Sequence, residues 1–333
     1  MGPIERYDNP AVLDARGIAQ LIAKRRRPIL QFSKPVPDSM LREVNALCEE
    51  HGDALAVRFY GFYLSAFDAR TLRMIPAVAS LLLDCLHEVS HVEELGNLAR
   101  LRSLSLGIDL LDASAILAMP NLRRLKQLSV GDTKKGAIDL SPVSTMKELT
   151  ELTVSGQETA IETIGECKRL RTLRLRMIGR RVKLRFVAGL PRLRSLRLAL
   201  GGRDDIDEVA HPTLSELEVV RVRGLARLDP GAFPGLQSLS IEDQLQLETV
   251  EFHRGNPELT CLSVVNCKKL RRLGGLRRLG SLRELRLVRT PLELDGLLAE
   301  GLPRSLRSVV VHTGRARVDA GTRERLDGLG YTE

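Results

Sequence analysis

The segment LRTLRL at residues 170–175 returns as LRSLRL at 193–198, and the same template, L-x-x-L-x-L, precedes both as LRSLSL (101–106), LKQLSV (125–130) and LTELTV (149–154). It continues downstream as LSELEV (214–219), LQSLSI (236–241), LTCLSV (259–264), LRELRL (282–287) and LRSVVV (306–311). Upstream it is met as VASLLL (78–83) and ALAVRF (54–59). The twelve copies begin between residues 54 and 306, in steps of 21 to 24 residues with a mean period of about 23. A single L-x-x-L-x-L occurs in many helices, but a run of this length in phase is a repeat architecture. The fourth and sixth letters alternate as one face of a short strand, and the first enters from the preceding turn, so all three point inward. No single copy can bury such a face. Stacking puts Leu104, Leu128, Leu152, Leu173 and Leu196 into one apolar ladder sealed by parallel backbone pairing.

Over roughly four-fifths of its length the chain therefore resembles the leucine-rich repeat superfamily, in a divergent, bacterial-type array. The resemblance implies an α/β solenoid, a horseshoe of about twelve repeats with a parallel concave sheet and a helical N-terminal cap. Residues 1–53 are expected to form that cap, 54–314 the solenoid and 315–333 a C-terminal cap. The family usually places Asn at the ninth template position, where its side chain bonds to turn backbone. Here that row holds Leu86, Asp109, Thr133, Gln157, Ile178, Gly201, Val222, Gln244, Cys267, Thr290 and Gly314, so irregular turns are expected.

The ends are read as covers for the exposed faces of the stack. Asn9-Pro10 offers an N-cap and a first-turn proline for a helix carrying Val12, Leu13, Ile18, Leu21 and Ile22, up to the basic cluster Arg25 to Arg27. PILQFS (28–33) reads as a strand with Leu30 and Phe32 inward. Asp38 then opens a helix with Leu41, Val44, Leu47 and Cys48 inward, ending before Gly52. VDAGTRERLDGLG (318–330) reads as a closing helix that buries Leu326 and Leu329.

Composition narrows the function. With 43% apolar residues the 333-residue chain can bury a continuous core, and no apolar run approaches membrane-spanning length. MGPIERYDNP carries charges where an export signal needs an apolar run, so a cytoplasmic location is expected. Five scattered cysteines, Cys48, Cys85, Cys167, Cys261 and Cys267, suit reduced thiols better than a disulfide framework. The net charge of +9 raises nucleic acid as a partner, yet aromatics are only 3% of the chain and Trp is absent, which leaves few platforms for stacking bases.

One stretch invites a different chemistry. His87-Glu88-Val89-Ser90-His91 spells H-E-x-x-H, the signature of zinc hydrolases, in which a helix presents both imidazoles on one face with the glutamate as base. In the repeat starting at Val78, however, Leu81 and Leu83 are the strand core and His87 to His91 fall in the turn that leaves it. No third histidine follows at the spacing a zincin extension requires. Turn residues are the favoured reading; a metal held by Cys85, His87 or His91 is the alternative. No cofactor is expected, and no other histidine takes a catalytic or metal spacing.

Function is then expected on the exposed rows, the second, third, fifth, seventh and eighth template positions. There Arg171, Arg174, Arg176, Arg194 and Arg197 give +5, Glu216, Glu218, Arg221, Glu242 and Asp243 give −3, and Arg283, Glu284, Arg286, Arg289 and Arg307 return to +3. Bands of opposite sign suit a protein partner, whereas a phosphate backbone favours a continuous positive stripe. A second patch is expected where VRFYGFYLSAF gathers five of the eleven aromatics: Arg58, Tyr60, Leu82, Asp84 and Cys85 turned outward, with Phe59 and Phe62 inward. The sequence thus points to a non-catalytic scaffold that grips another protein. An immunity or effector role in microbial conflict is one form the family allows. A nucleic-acid-binding or enzyme-regulating module is the next alternative, and a zinc hydrolase the last.

Overall fold

Alternating leucines with polar residues between them should make short strands, and a strand stands at every copy of the template. A computed structural model describes residues 4–62, 66–111, 113–131, 133 and 137–332, apart from the side chain of Cys85. The chain forms two compact units, Met1–Arg169 and Leu170–Glu333. In the first, Ile4–Asp8, Arg27–Phe32, Ala56–Gly61, Ser80–Leu86, Ser103–Ile108, Gln127–Val130 and Glu151–Ser155 pair in sequence order, all parallel. In the second, Thr172–Arg176, Ser195–Ala199, Glu216–Val220, Ser238–Glu242, Cys261–Val265, Glu284–Val288 and Ser308–His312 do the same. Inward apolar residues stand opposite one another: Leu104 pairs with Leu128 and Leu128 with Leu152, while Leu196 lies between Leu173 and Leu217, all of them buried. This is a leucine-rich repeat solenoid.

The returns from strand to strand are mostly single 3₁₀ turns, such as Val92–Asn97, Pro120–Arg124, Ile161–Glu166 and Arg185–Gly189. A period near 23 leaves too few residues for a long helix, and the 3₁₀ rise of about 2 Å per residue spans the back with fewer. Three returns of the second unit also contain a short strand, followed in two of them by a 3₁₀ turn, Pro230–Ala232 and Leu276–Arg278. Arg227–Leu228, Thr249–Glu251 and Arg272–Gly274 form their own parallel ladder behind the main sheet.

The missing asparagine row is replaced by other polar side chains that reach back to the preceding repeat. Gln157 accepts from the Ile138 amide at 2.8 Å and donates to the Gly131 carbonyl at 3.3 Å. Gln244 accepts from the Val222 amide at 3.2 Å and donates to the carbonyls of Val219 and Glu242. The Thr133 hydroxyl bonds to the carbonyls of Asp109 and Leu111. A second polar row lies on the back, where Asn121 donates to the carbonyls of Leu95 and Leu98 and Asn256 to those of Pro230 and Phe233.

In the second unit the eighth template position adopts the left-handed conformation in six successive repeats, at Met177, Leu200, Arg221, Asp243, Asn266 and Arg289, with φ between 46° and 58°. For a residue other than glycine this costs about 1–2 kcal/mol. The compensation is visible: each of these amides donates to the next strand, Met177 to Ala199, Leu200 to Val220, Arg221 to Glu242, Asp243 to Val265, Asn266 to Val288 and Arg289 to His312, at 2.6 to 3.0 Å. The left-handed residue turns the chain without ending the ladder.

The ends differ from the sequence reading in three particulars. A strand, Ile4–Asp8, precedes the first helix and pairs with Arg27–Phe32. Helix α1 runs Ala15–Ala23 with Asp14 as its cap, accepting from the Gly17 amide, because Asn9 is engaged elsewhere: its side chain bonds to the Ser33 amide and hydroxyl and its φ is 42°. The terminal helix, Ala316–Gly328, buries Leu326 but leaves Leu329 54% exposed, since the chain has already turned back to pair Thr332 with Ser308. Helix α2, Asp38–His51, buries Leu41, Val44, Leu47 and Cys48 and stops at Gly52, whose φ is 57°. No helix among the described residues is long and apolar enough to cross a membrane.

One core residue makes stability depend on pH. His211 is buried with Nε2 2.9 Å from the Leu190 carbonyl oxygen, and burial depresses its pKa despite that bond. In the unfolded chain the imidazole takes up its proton near pH 6.5, before the folded one does, so stability is retained above about 6.5 and lost as pH falls below it. Denaturant midpoints from neutral to mildly acidic pH should fall more steeply for the wild type than for His211→Gln. Identical slopes would contradict this assignment.

Candidate functional site

The outward rows of the second unit follow from register. The fifth-position row is Arg174, Arg197, Glu218, Ser240, the third-position row Thr172, Ser195, Glu216, Ser238, and the seventh-position row Arg176, Ala199, Val220, Glu242. Arg197 Nη1 lies 3.1 Å from Glu218 Oε1, with both side chains more than a third exposed, so the pair is worth under about 1 kcal/mol. Glu242 is half-buried; its neighbour Asp243 accepts from Asn266 Nδ2 at 2.5 Å and from Arg221 at 2.7 Å. Those two donors, the amide first, hold the Asp243 carboxyl below its ordinary range against the opposing effect of burial. Arg194 donates to the Thr213 carbonyl at 2.7 Å. Arg171, Arg176 and Glu216 are exposed, and Arg174 is half-buried. Two predicted residues, Arg197 and Glu218, thus meet each other, while Arg221 and Asn266 join Asp243 in a second knot. Asn266 was absent from the sequence reading, although an amide one period after an acid in the same row is a legible signal.

In the first unit the predicted aromatic patch is a closed network. Arg58 bonds to Asp84 at 2.5 Å and to Gln31 Oε1 at 3.0 Å, and its guanidinium carbon sits 4.5 Å from the centre of the Tyr60 ring. The Tyr60 hydroxyl donates to Asp8 at 2.6 Å, a bond that raises its pKa. Leu82 lies beside Arg58 in the same row. Phe59 is buried against Phe67, with ring centres 4.6 Å apart; Phe62, half-buried with φ at 51°, meets the same ring edge-on. Tyr63 and the Cys85 side chain lie outside the described residues.

No helix spans the H-E-x-x-H stretch. His87 and Glu88 follow the strand end, Val89–Ser90 is a two-residue strand, and His91 has a left-handed φ of 55°. The imidazoles face different carboxylates, His87 Nδ1 at 3.7 Å from Asp109 and His91 Nδ1 at 3.1 Å from Asp68. Among the described residues no three His, Cys, Asp or Glu side chains are grouped to hold a metal. Burial raises the thiols of Cys48, to about 12, and of Cys167 and Cys267, to about 11, which disfavours the nucleophilic thiolate.

No protein-family model matches the chain, and no curated protein matches it closely. Solved structures do match. An internalin of Listeria monocytogenes is 17% identical, over 90% of this chain and 88% of its own, with a TM-score of 0.47. A Toll receptor in its Drosophila complex with Spätzle is 11% identical over 93% of this chain and 51% of its own, TM-score 0.49, and TLR13 in complex with an ssRNA is 14% identical over 93% and 58%, TM-score 0.46. At these identities none of them assigns a partner to this chain. The in-phase template, the buried leucine ladders, the unbroken parallel pairing within each unit and the polar row stitching successive turns give the chain the fold of a leucine-rich repeat solenoid.

Proposed function

We propose that the chain is a non-catalytic scaffold that binds another protein through the outward rows of its second unit. The observation that carries this is the separation of unlike charges on neighbouring strands: exposed Arg171 and Arg176 with Arg174 on one side, Glu216 and Glu242 on the other. Backbone pairing fixes these side chains on a stiff sheet, so complementary bands on a partner can be met without ordering a loop. A duplex or single strand would instead favour an unbroken basic track. The Tyr60 patch is a weaker candidate because Asp8 and Asp84 already satisfy Tyr60 and Arg58.

Charge reversal distinguishes the readings. Arg174→Glu with Arg176→Glu should weaken the affinity of a captured and identified partner at least about tenfold, or 1.4 kcal/mol, without moving the thermal midpoint. Glu216→Lys with Glu242→Lys should weaken the same partner while tightening random DNA. Full partner affinity in the second variant would reject the banded face.

A further inference from the structure

A second cluster of cations lies in the first unit. Where α1 ends, the Arg25 amide donates to Ile22 and the Arg26 amide to Leu21, and a left-handed Arg25 with φ at 56° folds the basic run Arg25 to Arg27 back. Stacking of repeats brings the N-terminal ends of two distant strands to the same place. The result is a cleft of about 360 Å³ lined by Arg25, Arg26, Arg27, Arg102 and Lys126, with Asp53 its one acidic lining residue. The charges are poorly matched from within. Lys126 is 3.9 Å from Asp53 and Arg26 3.3 Å from Glu5, but Arg27 meets the amide oxygen of Gln127 at 3.4 Å and Arg102 the Leu101 carbonyl at 2.8 Å. Among the described residues Arg25 has no carboxylate partner.

Like charges converging on a concave surface repel one another and focus a positive field, and a compact ligand with several negative charges relieves that repulsion. We propose that this cleft binds a small polyphosphate anion. Arginine forks suit phosphate oxygens. No aromatic ring lines the cleft, so the phosphates are recognised and a nucleobase is not. The cleft's small volume and its acidic residue favour a compact anion over a continuous strand.

The test is calorimetric titration of the full chain with inorganic tripolyphosphate at low and moderate salt. Saturable binding is expected, weakened at least about tenfold in Arg25→Glu with Lys126→Glu and tightened severalfold in Asp53→Asn. Arg315→Glu with Arg317→Glu, the same change of net charge on the terminal helix, should leave binding unchanged. ATP should bind within about threefold of tripolyphosphate, because the ring finds nothing to stack on. An equal loss in the control variant would show that only overall charge acts. A tenfold preference for ATP, or for a single-stranded oligonucleotide sensitive to the same variants, would overturn the compact-phosphate assignment, as would the absence of saturation.

Discussion

Leu196→Asp is expected to remove cooperative unfolding of the second unit, or to lower its denaturant midpoint by the equivalent of about 5 kcal/mol or more. Leu196 is fully buried between Leu173 and Leu217 in the inward ladder. Truncation of such a side chain costs about 2–5 kcal/mol through lost burial and the cavity left behind. A carboxylate adds a charge with no cation beside it, and it must either stay ionised in apolar surroundings or take up a proton. A domain holds only about 5–15 kcal/mol in total, so the loss is a large share of it. Equilibrium denaturation followed by circular dichroism reads the effect, with Arg176→Asp on the exposed face of the neighbouring strand as the tolerated comparison. An unchanged midpoint for Leu196→Asp would mean that the inward register is wrong.

The second large effect is expected at Gln244. Its side chain is fully buried and binds one amide and two carbonyls, two of these groups in the preceding repeat. Gln244→Leu keeps most of the volume and leaves those groups without their partner, which should cost about 2–4 kcal/mol. Gln244→Asn offers the same amide on a shorter stem and should recover only part of it, because the bonds cross from one repeat to the next. If Gln244→Leu is as stable as the wild type, these bonds do not hold the repeats together. The family's asparagine row and this glutamine have one physical task, which is to satisfy backbone left open where a strand becomes a turn.

Much of the fold was legible because inward leucines at a fixed period leave little alternative to stacking. Every template copy carries a strand, and Leu30, Phe32, Leu41 and Val44 are inward as expected. The first strand escaped notice since IERYD has no inward face of its own; it is held by backbone pairing with Arg27–Phe32, not by burial. Asn9 and Asp14 are both good caps in isolation, and the choice fell to Asp14 through a bond between Asn9 and Ser33 that only the tertiary fold creates. The left-handed row was foreshadowed by Asp243 and Asn266, residues that tolerate positive φ, but Met177 and Leu200 gave no hint. On the candidate face the order of the charges follows from the template, because a parallel register carries one template position onto the next. The sequence could not show whether a neighbouring pair closes, since Arg197 and Glu218 do so through side-chain conformations that spacing alone does not determine. The basic cleft was less visible still, because residues about a hundred positions apart supply its walls.

The double lacing of the second unit has a mechanical consequence. The strands Glu216–Val220, Ser238–Glu242 and Cys261–Val265 are hydrogen-bonded along the front, and Arg227–Leu228, Thr249–Glu251 and Arg272–Gly274 along the back. Parallel strands lie about 4.8 Å apart wherever they pair, so front and back advance by equal steps. Curvature in a stack comes from unequal steps, which pairing on both sides opposes. These three repeats therefore act as a beam with two rails, whereas repeats backed by isolated 3₁₀ turns have one rail and can flex about it. The acidic band, on Glu216 and Glu242, sits on the rigid facet.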